Sequence, residues 1–327
     1  MRIACVYTVK NEEEMLPQNI QYHRHLGATD FFVFLDHSTD HTKAILQNTP
    51  NVQIFENMRF DDLLTYNVKK PKLDLELIKK RFDEHNGIRQ VLNANMALEL
   101  CIEQGIDWLI NIDTDELVCL NSRTITKNNL TTYLEGMAND VGAVLFRNLE
   151  VVPTAKDPAC NFSGQLFKNY LDGDLSKMPK REVENPYTGD KTPAGWYWGH
   201  TSGKLAVRAQ AGAYFRILTH NFQTDGEMVH ADHLLHYNIC SFRHFINKYQ
   251  NFENFPEFTS LGRKVRPLRT LLVNLVNNGD YSEEYLRTYF NENILFTPDD
   301  IERARQLYKE AFSEIPSAAS FFGAQIN

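Results

Sequence analysis

Long apolar runs, a basic surplus, paired cysteines and internal repeats are all missing from this 327-residue chain, and each absence removes a class of function. The first apolar run, Ile3 to Val9, is far shorter than a bilayer span and leads straight into Lys10-Asn11-Glu12-Glu13-Glu14, which is neither a signal-peptide core nor a cleavage site. Export and membrane spanning are therefore not expected, and a cytoplasmic setting is. Lysine and arginine total 34 against 42 acids, a formal charge of −8, so binding to a nucleic-acid backbone, which needs a cationic surface to displace counterions, is set aside. Any anionic ligand must be held by a local arrangement. The five cysteines, Cys5, Cys101, Cys119, Cys160 and Cys240, are odd in number, scattered, and without the close pairs of zinc or redox motifs, so they read as reduced packing residues. No repeat or low-complexity tract is found, and the length suffices for one large core or two modest ones.

What is present, over residues 1 to about 150, is an alternation of short β-branched or aromatic runs with helical stretches, the pattern of βαβ units around a mostly parallel sheet. Ile3–Val9, Phe31–Leu35 and Val52–Phe55 read as strands. Between the first two lies a helix with Pro17 suited to its first turn and Gly27 to its end, on which Ile20, His23 and Leu26 share a face. Ser38-Thr39-Asp40-His41-Thr42 offers several caps for a helix over Thr42–Asn48. Residues 57–75 are polar without clear periodicity and are expected to be an insertion or mobile loop. Ile88, Val91, Leu92, Met96 and Leu100 recur at helical spacing, and after Gly105 comes the buried strand Trp108-Leu109-Ile110-Asn111-Ile112. Another helix is expected near 126–138 and a strand near 143–149. Residues 153–203 change character, rich in Pro, Gly, Lys and Asp, before strands near 204–208, 213–218 and 234–239 and amphipathic helices at 241–250, 267–277, 282–291 and 298–312. The expected organisation is a catalytic domain over 1–250, with a nucleotide-binding half (1–150) and an acceptor-binding half (151–250), and a helical C-terminal extension over 251–327.

The buried strand ends in Asp113-Thr114-Asp115-Glu116, at the sheet edge where open α/β proteins bind ligands. Alternation points Asp113 and Asp115 the same way, so their charges repel unless a cation sits beside them. Oxygen ligands of this kind suit Mn²⁺ or Mg²⁺, which keep open positions for phosphate oxygens. A solvated turn with capping acids is the plainer reading of an isolated D-x-D. Here it has company: Asp36 closes the second strand, and Asn11 and Glu12 the first, at the same edge.

Further motifs follow in a fixed order. Val9-Lys10-Asn11-Glu12 precedes a P-x-x-x-x-Y-H-x-x-x-G helix (Pro17, Tyr22, His23, Gly27), then Asp36-His37-Ser38-Thr39-Asp40-His41-Thr42, then W-L-x-x-x-D-x-D-E (Trp108, Leu109, Asp113, Asp115, Glu116). Gly203-Lys204, Val207-Arg208, a solitary His220 and His236-Tyr237 with Ser241, Phe245 and Lys248 complete it. This set, over residues 3 to 250, resembles the nucleotide-diphospho-sugar transferases of the GT-A fold, and more narrowly the family 2-like and family 92 glycosyltransferases. The resemblance implies an α/β fold with a mostly parallel central sheet flanked by helices, and a metal-dependent transfer of a sugar, from a UDP-sugar by preference, to a hydroxyl of a glycan or other acceptor with inversion. By it, Asp36 would hold the uracil or ribose, Asp113 the ribose and metal, and Asp115 the metal and diphosphate. Asn11, Glu12, Arg89, Gln90 and Lys204 would join the donor-binding set. His236, with Lys248 on the diphosphate, would be the third metal ligand, and His220 is the alternative. For the general base that inversion needs, Asp225, Glu227 and Asp232 lie in the right stretch, with Asp232 favoured and Glu227 next.

Other readings compete. His230, His233 and His236 suggest zinc, but on a strand this spacing alternates faces. Trp196-Tyr197-Trp198 could stack on an acceptor sugar or plug the core of the second half. Arg263, Lys264, Arg266 and Arg269 could make at most a peripheral membrane contact; a solvated helix face is the plainer reading. A sugar-nucleotide-forming nucleotidyltransferase would carry a Gly- and Lys/Arg-rich loop after the first strand, where this chain has Lys10-Asn11-Glu12-Glu13-Glu14. A non-catalytic carbohydrate-binding protein would be expected to have lost Asp36, Asp113 and Asp115, which are all present.

Overall fold

The computed structural model describes residues 1–120, 125–158, 160–169, 181–216, 220–252, 264–315 and 320–322, with the backbone alone at 231 and 232. In chain order it begins β1 (Ile3–Val9), α1 (Leu16–Leu26), β2 (Asp30–Leu35), α2 (Thr42–Gln47), β3 (Val52–Glu56), α3 (Phe60–Asn67), α4 (Leu75–Arg81), α5 (Asn86–Glu103), β4 (Trp108–Asn111), β5 (Glu116–Cys119), α6 (Asn129–Glu135) and β6 (Val141–Val151). Short strands follow: β7 (Leu166–Lys168), β8 (Glu182–Glu184), β9 (Lys191–Pro193), β10 (Lys204–Arg208), β11 (Tyr214–Phe215) and β12 (Phe222–Gln223), then the longer β13 (Glu227–His236). The chain continues through α7 (Phe242–Gln250), α8 (Pro267–Asn277), α9 (Glu283–Tyr289), a π-helical turn (Phe290–Ile294), α10 (Pro298–Leu307) and β14 (Phe312–Glu314).

Two compact units share these elements, one of Met1–Arg147 with Ser202–Leu234, the other of Asn148–Thr201 with Leu235–Asn327. In the first unit β4, β1, β2 and β3 lie side by side and parallel, and β10 runs antiparallel between β4 and the start of β6. The mixed α/β architecture with a mostly parallel sheet is the one the sequence pattern implies. β1 and β2 are buried almost throughout, which is why they read as continuous apolar runs rather than alternating ones. Helix α5 covers the sheet with Ile88, Val91, Leu92 and Leu98, which join Val6, Phe32, Phe34, Leu109 and Leu205 in one core. Helix α1 ends at Gly27, whose φ of 115° only glycine adopts without strain, and a Cβ there would fall 1.9 Å from Thr131 Oγ1.

Where a loop was expected over 57–75, the structure has α3 and the start of α4. At the start of α3 the Asp62 carboxylate accepts from the Arg59 amide at 3.0 Å and from its guanidinium, and Leu63 and Asn67 are fully buried. The helical stripe is hidden in the sequence because its last position is polar: Asn67 accepts from Asn95 of α5 at 2.9 Å and donates to Leu63 O at 2.8 Å.

The second unit pairs the end of β6 with β7, and β7 with β14, all antiparallel. Phe242, Phe245, Leu268, Leu271, Leu272 and Phe290 form one core, and Val152, Trp196, Tyr197, Phe296 and Ala304 a second. Trp196 and Tyr197 are thus a core plug, each 5% exposed. On α8 the apolar residues pack inward while Arg266 and Arg269 are exposed, a solvated face; Arg263 lies outside the described residues. Among the described residues no helix is long and apolar enough to cross a membrane.

Candidate functional site

The ends of β1 and β2 are locked to each other by the residues that follow them. Asn11 and His37 take positive φ of 55° and 59°, turning the chain sharply as each strand ends. The Asn11 amide donates to Ser38 Oγ at 3.1 Å, and Asn11 Oδ1 accepts from the Thr39 amide at 2.7 Å. Glu12 N–H donates to Thr42 Oγ1 at 2.9 Å, and Glu13 N–H to Asp40 Oδ2 at 3.1 Å. The S-T-D-x-T segment, expected to cap α2, does so through Asp40, whose Oδ1 accepts the Thr42 amide at 3.0 Å, and is at the same time a clasp on the Asn11-Glu12-Glu13 backbone.

Asp36, the first residue past β2, meets Arg89 of α5 through a two-pronged ion pair of 3.0 Å (Nε–Oδ1) and 2.8 Å (Nη2–Oδ2), with both side chains mostly buried. Arg89 also donates to Phe82 O at 2.5 Å. One residue on, Gln90 Nε2 donates to Asp113 Oδ1 at 3.2 Å. The other Asp113 oxygen accepts from Lys204 Nζ at 2.7 Å, and the same ammonium stands 3.5 Å from Glu116 Oε2, which also accepts the Asp113 amide at 3.0 Å. Lys204 is 1% exposed, Glu116 fully buried and Asp115 8% exposed. Burial alone would depress the Lys204 pKa, but the charges of Asp113, Glu116 and Asp115 together outweigh it and hold the ammonium above its usual range. Two half-sites thus stand side by side on α5, Arg89 with Asp36 and Gln90 with Asp113.

The buried face of α1 reaches the same turn, a feature that sequence reasoning missed. Asn19 donates its amide to Asp113 O, Thr114 O and Glu116 O at 3.4, 2.9 and 2.7 Å, while its Oδ1 lies 2.9 Å from Tyr7 Oη and 2.8 Å from His23 Nδ1. Tyr22 Oη donates to Val118 O at 2.8 Å, and the Val118 amide donates to His23 Nε2 at 3.3 Å. An amide can only donate, so His23 is neutral with its proton on Nδ1. The signal was an Asn at helical spacing between Leu16 and His23, on the face that carries Ile20 and Leu26.

Complete burial pushes the His23 pKa down from 6.5 to about 4. The unfolded chain takes up this proton as pH falls through 6.5 and the fold does not until about 4, so the stability tied to His23 is whole above 6.5 and is lost progressively toward 4. The loss is on the order of 3 kcal/mol. Urea unfolding of the wild type across that range should show this slope, and His23→Gln should flatten it.

A carboxylate turn at the C-terminal edge of parallel strands, with a basic and an amide side chain trained on it, invites comparison with known proteins. The model of the family described as "Glycosyltransferase family 92" matches residues 2–272. The chain belongs to glycosyltransferase family 92. Two glycosyltransferase-like proteins of Arabidopsis thaliana are 23% and 22% identical to this family 92 chain over 88% and 89% of its length. The chain spans 64% and 57% of those relatives. Among solved structures, Staphylococcus aureus TarS is 10% identical over 93% of this chain and 44% of its own, with a TM-score of 0.34. Glucosyl-3-phosphoglycerate synthase of Mycobacterium tuberculosis, solved with Mn²⁺, UDP and phosphoglyceric acid, is 15% identical over 46% of this chain and 43% of its own, with a TM-score of 0.25.

Within this family 92 chain, the first unit brings together Asp36, Arg89, Gln90, Asp113 and Lys204, with Asn11 and Glu12 in the clasp beside Asp36. His220 belongs to the same unit: its Nδ1 lies 2.6 Å from Gly203 O, so Nδ1 carries the proton and Nε2 is the basic nitrogen, the arrangement common to metal-binding histidines. Glu227 is not brought to this edge. Its amide donates to Asp140 O, beside Val141, whose carbonyl accepts from Arg208 Nε, so it stands at the Arg208 end of β10, about 13 Å along the strand from Lys204. The Asp232 side chain lies outside those described. In the second unit, Lys248 Nζ donates to Asn238 O and Oδ1 at 2.9 and 2.8 Å, and the His236 ring lies 5.1 Å from that of His200. β13 confirms that His230, His233 and His236 lie on a strand.

Proposed function

We propose that the chain transfers a sugar from a nucleoside-diphosphate donor, UDP by preference, to a hydroxyl of a glycan or other acceptor, with inversion at the sugar. The observation that carries this reading is the pairing of two half-sites along one helix: Arg89 with Asp36 at the end of β2, and Gln90 with Asp113 at the end of β4. Asp36 with Arg89 is the end that takes the base and ribose. Asp113 and Asp115 would take Mn²⁺ or Mg²⁺, and the donor chemistry fits: hard carboxylate oxygens, one of them steered by Gln90. The ion supplies Lewis-acid stabilisation of the charge that develops on the departing diphosphate. Lys204 adds a fixed positive charge to the same place without reorganising. His236 and His220 are the candidates for a third ligand, and Asp232 for the general base.

A thermal-shift panel of UDP, GDP, CDP and ATP, each with and without Mn²⁺, tests this on the wild type and on Asp115→Asn. One nucleoside diphosphate should stabilise the wild type only with metal, by about 2.7 kcal/mol at a hundredfold excess over its Kd, and the variant should not respond. A wild type that no nucleotide stabilises would end the transferase reading in favour of a capped turn.

A further inference from the structure

The buried face of α1 points to more than packing. We infer that Asn19 is a positioning residue for the Asp113–Glu116 turn, an inference that rests on reading that turn as the site of the cation and diphosphate. The turn sends three carbonyls, those of Asp113, Thr114 and Glu116, toward one point, and Asn19 Nδ2 occupies it at 3.4, 2.9 and 2.7 Å. Three converging carbonyls repel one another without a donor among them, and no water reaches this one, since Asn19 is fully buried. The amide is fixed in orientation from its other end. Its Oδ1 faces the Tyr7 hydroxyl at 2.9 Å and the protonated His23 Nδ1 at 2.8 Å, so a flip would set nitrogen against donors and oxygen against carbonyls.

The turn is thereby held from two sides. Asn19 grips its backbone, while Gln90 and Lys204 grip the Asp113 carboxylate at 3.2 and 2.7 Å. This grip adds to the turn's own bond, from the Glu116 amide to Asp113 O at 3.2 Å, in setting how the carboxylates of Asp113 and Asp115 are presented to a ligand. Polar groups behind a metal's own ligands commonly set affinity by 10- to 100-fold, about the effect expected of Asn19 on Mn²⁺ binding in the presence of UDP.

The test compares Asn19→Asp, nearly isosteric but with an acceptor in place of the amide, with Gly27→Ala, which strains the far end of the same helix against Thr131. In the full chain, hydrogen exchange over residues 112–118 and Mn²⁺ titration with UDP are read beside the melting temperature. Asn19→Asp should speed exchange in that segment and raise the Mn²⁺ dissociation constant about 10- to 100-fold. Gly27→Ala should lower the melting temperature and leave both readouts unmoved. Asn19→Ser, which keeps one short donor, should shift both in the same direction by less, and serves if Asn19→Asp does not fold. Unchanged exchange in the turn of Asn19→Asp, or equal effects of Gly27→Ala, overturns the inference. A wild type that binds no Mn²⁺ would instead refute the cation reading, and the exchange comparison would still decide whether Asn19 holds the turn.

Discussion

Lys204→Met should destabilise the protein by about 3 kcal/mol and remove nucleotide-diphosphate binding with it. The ammonium it deletes is buried between Asp113 Oδ2 at 2.7 Å and Glu116 Oε2 at 3.5 Å, and methionine fills the same volume without the charge. What remains is a fully buried carboxylate beside another that is one-third exposed, both without the ammonium they share. Breaking a buried pair from one side costs about 3–5 kcal/mol, and the partial exposure of Asp113 places this case at the lower end. The pH dependence follows from the sign. Loss of the ammonium makes both carboxyls easier to protonate than in the wild-type fold, so the variant is best matched to the wild type at acid pH and falls behind as the carboxyls ionise with rising pH. Mn²⁺ should recover more stability in the variant than in the wild type, because a dication at the carboxylates replaces the missing charge. Denaturant melts at acid and neutral pH, with and without Mn²⁺, check each part; equal stability of variant and wild type at neutral pH would show that the ammonium is not what holds the carboxylates together.

The contribution of Lys204 was only partly legible in the sequence. Its place in a G-K-x-x-V-R strand marked it as a donor-binding candidate, and β10 was expected at the residues it occupies, but its partner lies 91 positions away. That contact exists because β10 inserts antiparallel beside β4, a pairing between distant segments that no local pattern encodes. The same holds for Asp36 and Arg89, 53 residues apart, which were seen separately and not as a pair. Strand ends were the legible part: β1, β2 and β4 each finish an apolar run in polar residues, which located the edge. Buried polar residues on helices were the illegible part. Asn19 and Asn67 read as gaps in an apolar stripe, and only the carbonyls they meet explain them. Sequence order likewise does not give the length of β13, which Glu227 opens and His236 closes, so the two lie at opposite ends of one extended strand.

In the second unit, Lys168→Met should be the most damaging single substitution, costing about 3–5 kcal/mol. Glu150 and Lys168 face each other in register on β6 and β7, with Nζ 2.8 Å from Oε1 and both side chains 2% exposed. Burial alone would raise the Glu150 pKa; the Lys168 ammonium, the nearby His236 and the Trp198 amide more than offset it and keep the carboxylate ionised. The carboxylate in turn accepts the Trp198 and Gly199 amides at 2.9 and 2.5 Å, tying down the segment whose Trp196 and Tyr197 fill the core. Lys168→Met removes the ammonium and leaves that buried charge with the Trp198 and Gly199 amides and the nearby His236. Glu150→Gln does less harm, because the amide oxygen still accepts the backbone donors and the Lys168 ammonium keeps the faces of Trp196, Trp198 and Phe296 at 5.8, 5.8 and 5.1 Å. The double variant should be more stable than Lys168→Met alone, since no unpaired carboxylate then remains. Guanidinium unfolding of the three variants decides it: additive losses would mean that the two side chains contribute separately and that the segment 196–199 is held by its apolar packing instead.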